Sequence, residues 1–122
     1  MKKIYTILAT TVLTLSLVGC ASTKKSTFYW GSYEGLIYDM YVEPGSADPT
    51  TQIDKLTATI QEAEANGKPV APGIHAHLGY MYALQGNLAQ SRAEFLTEKT
   101  MYPESDTLID GMMNRLKGAQ KQ

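Results

Sequence analysis

The chain has 122 residues, 43% of them hydrophobic, one cysteine and a net charge of −1. That length allows one small domain, and the near-neutral charge excludes the strongly basic surface that a nucleic-acid binder needs. A lone cysteine also excludes a fold stapled by internal disulfides.

The first element is a leader. Met1-Lys2-Lys3 precedes an uncharged run over residues 4–18. A membrane-spanning helix needs about 20 apolar residues, so the run is too short and reads as a secretory signal peptide. It ends Leu17-Val18-Gly19-Cys20, which resembles the bacterial lipobox. That resemblance implies cleavage before Cys20 and acylation of its thiol, making the lipid bilayer the first partner. The thiolate is the strongest common side-chain nucleophile, and one acyl chain anchors only marginally. The plainer alternative is an ordinary signal peptide with an incidental cysteine. Ala21-Ser22 follow, with no aspartate. By the enteric sorting rule this implies an outer-membrane address, with the periplasmic face favoured.

Removing residues 1–19 takes away two lysines and no acid, leaving 103 residues with a charge of −3. Residues 20–27 read as the acylated cysteine and a flexible tether of on the order of 15 Å. Residues 28–122 read as the folded domain. Its aromatic opening segment, 28–45, holds six aromatics within 28–41: Phe28, Tyr29, Trp30, Tyr33, Tyr38 and Tyr41. The spacing of Tyr33, Ile37 and Met40 predicts a short helix from Tyr33 to Val42, closed by Pro44-Gly45.

Asp48-Pro49 predicts a capped helix over 50–66, stopped at Asn66-Gly67. Pro72 opens the next, to Gln85. Asn87, with Gln90 as capping-box partner, starts a helix over 88–102 that ends before Pro103. Ser105 caps the last, over 105–117, with Leu108, Met112 and Leu116 on its inner face. The expected class is all-α, with four to five helices.

Within 72–102, Leu78-Gly79-x-x-Tyr82, Phe95 and Pro103 fall in the register of a tetratricopeptide repeat. Gly79 would allow close helix approach, Tyr82 and Phe95 would fill the space between the helices, and Gly86 would supply a left-handed turn. The match is degenerate. His75 stands at a usually apolar position, Ser91 replaces alanine and Glu98 takes a small-residue position. A plain helical hairpin is the alternative.

His75 and His77 lie about 200° apart on a helix and cannot share a metal. No HExxH, GxSxG or phosphate-binding loop occurs, so no metal, cofactor or catalytic residue is expected. Glu62 and Glu64 read as a solvated helix face.

Tyr29-Trp30-Gly31-Ser32-Tyr33-Glu34, Leu36, Tyr38, Tyr41, Pro44-Gly45 and the later Leu78-Gly79-x-x-Tyr82 resemble a family of small bacterial lipoproteins catalogued as domain of unknown function 4810. Such proteins are commonly encoded beside a lipoprotein similar to the curli-secretion channel. The resemblance implies a non-enzymatic adaptor or assembly factor in an outer-membrane complex with such a partner. The alternative is an activator of a periplasmic cell-wall enzyme. Tyr29, Tyr33, Tyr38 and Tyr41 are the candidate partner-binding residues. Trp30, beside the turn-forming Gly31, is expected to be buried and to anchor the segment, with at least one of the four tyrosines facing solvent.

Overall fold

The computed structural model describes Met1 and residues 26–119. Cys20, the leader after Met1 and most of the expected tether lie outside the described residues. Among those described, the fold is all-α, with five helices. These are α1 (Tyr33–Val42), α2 (Pro49–Ala65), α3 (Ile74–Leu84), α4 (Leu88–Met101) and α5 (Asp106–Ala119), with a 3-10 turn, Pro103–Ser105, before the last. Each helix packs mainly on its chain neighbours: α1 on α2, α2 on α3, α3 on α4 and α4 on α5.

Local chemistry sets most boundaries. The Asp48 carboxylate accepts from Thr51 N at 2.9 Å and Pro49 occupies the first turn of α2. Asn87 Oδ1 accepts from Gln90 N at 3.2 Å. The reciprocal arm of the expected capping box is absent, because the Asn87 N–H donates to the Tyr82 carbonyl at 2.9 Å, while the Gln90 side-chain amide donates to Glu94. Gly86, at φ +77°, makes the turn between α3 and α4.

Three expectations are corrected. Pro72 does not open α3; the helix starts at Ile74, and Gly73 before it has φ +95°, which disfavours any side chain that could cap. Ser105 does not cap α5; it belongs to the 3-10 turn, and its hydroxyl donates to the Tyr102 carbonyl. Leu108 does not face inward. It is 61% exposed, whereas Ile109 is fully buried. Stripes through 108 and through 109 both satisfy helical spacing, and the entry from the tighter 3-10 turn selects the second.

The core has two parts. Leu36, Leu56, Val70, Ile74, Leu78 and Met81 join α1, α2 and α3, while Ala76, Phe95 and Ile109 join α3, α4 and α5. Between α3 and α4 the helices nearly touch at Gly79. A Cβ there would lie 2.7 Å from the Phe95 ring and 3.0 Å from the Ser91 carbonyl oxygen. Tyr82 is half-buried and packs on the α1–α3 part of the core rather than between α3 and α4.

Candidate functional site

The aromatic segment crosses the fold as a strap. Tyr29 N donates to the Pro69 carbonyl at 2.8 Å and Ala71 N to the Tyr29 carbonyl at 3.1 Å, a short parallel bridge. Phe28 meets Tyr102 edge-on at 5.9 Å. The Tyr102 hydroxyl donates in turn to the Val70 carbonyl. Gly31, at φ +50°, lies directly on α2, where a Cβ would sit 2.9 Å from Thr59 Cγ2.

That contact explains a further correction. Trp30 is not buried: it is 37% exposed and lies tilted beside Tyr33. The strap backbone rests on α2 at Gly31, directly after Trp30. The anchors are Phe28, Tyr29 and Tyr33, each half-buried against the core.

The four candidate tyrosines therefore divide. Tyr29 donates to Glu62 Oε2 at 2.9 Å, and this hydrogen bond to a carboxylate raises its pKa. The Tyr33 ring meets the His77 ring edge-on at 5.8 Å. Burial, followed by the negative charge of Glu98, raises its pKa. Tyr38 and Tyr41 face solvent at 66% and 83% exposure, beside the exposed Val42. A shallow depression of about 230 Å³ is lined by Ile37, Met40 and Tyr41.

Glu34, Tyr38 and Tyr41 follow the i, i+4, i+7 spacing of one helix face. Residues 28–54 contain five acids and no lysine or arginine. The first base, Lys55, approaches Asp39 at 3.9 Å. α1 thus combines an aromatic outer face with a predominantly acidic neighbourhood, in which Lys55 partners Asp39 alone.

The two histidines have separate partners. His75 Nδ1 lies 2.7 Å from Glu94 Oε2, beside a cleft of about 230 Å³ walled by Ile60, Pro69, Val70 and Met101. His77 Nε2 lies 2.8 Å from Gln52 Oε1, and the same amide donates to the Ala47 carbonyl. Burial lowers the His77 pKa. Among the described residues no three His, Cys, Asp or Glu side chains converge as metal ligands, and no helix is long and apolar enough to cross a membrane.

Sequence reasoning missed Glu98. It is 1% exposed. Its Oε1 accepts from Gly73 N at 2.7 Å and its Oε2 from Ala76 N at 3.3 Å. A carboxylate from α4 therefore caps α3, replacing the side chain that Gly73 lacks. The available sign was its place in a repeat position that normally takes a small residue.

Residues 27–112 match the family described as Domain of unknown function (DUF4810). The matched span runs from the strap into α5 and covers the whole of α1–α4. No curated protein and no solved structure matches the chain.

Proposed function

We propose, on the premise that this chain belongs to the DUF4810 family, that it is an outer-membrane lipoprotein acting as a non-enzymatic adaptor. In this reading Cys20 carries the lipid and α1 docks on another envelope protein, similar to the curli-secretion channel. The observation that carries the reading is the outer face of α1. Tyr38 and Tyr41 are held on a helix that buries Leu36 on its other side, so their exposure is built into the fold. Tyrosine is enriched in interface hot spots because it offers area, a polar tip and little rotamer entropy.

Affinity capture of the intact lipoprotein tests the proposal. The expected result is recovery of a channel-like lipoprotein, lost with Tyr38→Ala and Tyr41→Ala while the melting temperature stays within about 2 °C of the parent. Recovery of a peptidoglycan synthase instead would favour the activator reading. Retention of the partner by the double variant would remove α1 as the contact.

A further inference from the structure

The order of packing leaves α1 and α5 at opposite ends of a stack. In stacked helical proteins the terminal elements need a polar outer face, because an apolar one invites another unit. α1 lacks such a face, and the otherwise polar outer face of α5 is broken by the exposed Leu108. α1 turns out Tyr38, Tyr41 and Val42. α5 turns out Leu108 and Arg115, with Met112 between them half-buried, packed on the Phe95–Ile109 part of the core and only its edge reaching the surface. Between them is Gly111, where no atom comes within 4 Å of a Cβ position, so a helix could approach closely.

The ends also carry opposite charge. Residues 28–54 hold five acids and no base, whereas residues 111–122 hold three bases and no acid. The acids of the first part of α5, Asp106 and Asp110, are already engaged by Lys99 at 2.9 and 2.7 Å. The exposed Arg115 and Lys117 are therefore the charges that the second half of α5 offers.

We infer that the α1 face of one copy docks antiparallel on the α5 face of a second copy. Glu34, Tyr38 and Tyr41 have the same spacing as Leu108, Met112 and Arg115. Antiparallel pairing sets Glu34 against Arg115, Tyr38 against the edge of Met112 that the core leaves uncovered, and Tyr41 against Leu108. This gives an ion pair, a sulfur–aromatic contact and an apolar contact in one register. The inference rests on the reading of α1 as a protein-docking surface given above. The contact uses different faces on the two copies, so it does not close on itself. An open stack leaves one α1 face free for the channel-like partner.

Disulfide crosslinking in the envelope tests this with the full chain. Tyr41→Cys and Leu108→Cys are placed in separate, differently tagged copies that are co-expressed and mildly oxidised. Both positions are exposed, and thermal melting checks that each variant folds. The expected result is a covalent dimer from the mixed pair and little from either variant alone. Glu34→Lys should cut the yield roughly tenfold through like-charge repulsion, and Arg115→Glu in the other copy should restore it. No dimer, an equal yield from Tyr41→Cys alone, or a yield unmoved by Glu34→Lys would overturn the inference. Capture of a channel-like lipoprotein by the parent chain is scored separately. Its loss with the crosslink retained would fail the adaptor reading alone, and the converse would fail only the self-docking.

Discussion

At the scale of single residues, two buried polar groups, Glu98 and Ser91, and the half-buried His77 behave differently because their partners differ. Glu98 has both oxygens occupied by backbone donors. Ser91, fully buried in α4, has a hydroxyl with no hydrogen-bond partner. An unpaired buried hydroxyl costs free energy, so Ser91→Ala should stabilise the domain by about 1 kcal/mol, read as a later denaturation midpoint at unchanged m-value. An earlier midpoint would mean that the hydroxyl is satisfied in solution. His77 donates through Nε2 to Gln52, and burial depresses its pKa below the ordinary 6.5. A base with a depressed folded pKa binds fewer protons folded than unfolded. Its contribution is complete above about pH 6.5 and is lost as pH falls toward the folded value. Stability should therefore decline from pH 7 to 5, and His77→Gln should flatten that decline, as denaturation midpoints across the range would show. Tyr33 and Tyr102 give the opposite limb. Burial and the Glu98 charge raise both phenols above 10, so the stability they hold is present below about pH 10 and is lost above it.

At the scale of elements, the clearest sequence marks were those with a stereochemical cause. Tyr33–Val42 forms as its spacing predicts, Asp48-Pro49 starts α2 and Gly86 turns between α3 and α4. The marks that failed depended on tertiary choices. Pro72 looks like a helix start, but the actual start is capped from 25 residues away. Ser105 and Leu108 fit a pattern that the 3-10 turn shifts by one residue. The all-α class and the close helix pair were legible because Gly79 and Phe95 are paired by packing geometry. Gly79→Leu should therefore cost about 1–3 kcal/mol, since even a Cβ would press on Phe95 and the Ser91 backbone. Gly79→Ala should also destabilise, despite the better helix propensity of alanine. Thermal melting decides this, and a melting temperature unchanged in both variants would show that α3 and α4 are not in close contact there.

At the scale of the whole molecule, the candidate surface was only half legible. The sequence marks all four tyrosines but cannot separate Tyr29 and Tyr33, which the strap draws against the core, from Tyr38 and Tyr41, which it leaves outside. It also misplaces Trp30, because the seat of Gly31 on Thr59 is a contact between residues 28 apart. The anchor proposed at Cys20 rests on sequence pattern. Cys20→Ser should abolish palmitate labelling and release the domain from the outer-membrane fraction, and continued labelling would refute that site. The cap that Glu98 supplies to α3 also bears on time. An ordinary helix cap lies three residues from the donors it serves and forms as soon as the chain bends. Here the acceptor arrives only after the Gln85–Asn87 turn has closed and α4 has run its length. Apart from the Ile74 N–H bond to the Ala71 carbonyl, the first turn of α3 has no local cap, so the two helices are expected to mature in one cooperative event. Glu98→Gln, which keeps one carbonyl acceptor, should act mainly on the folding arm of a chevron plot and leave the unfolding arm nearly unchanged. Faster unfolding at an unchanged folding rate would mean that the cap closes only after the barrier has been crossed.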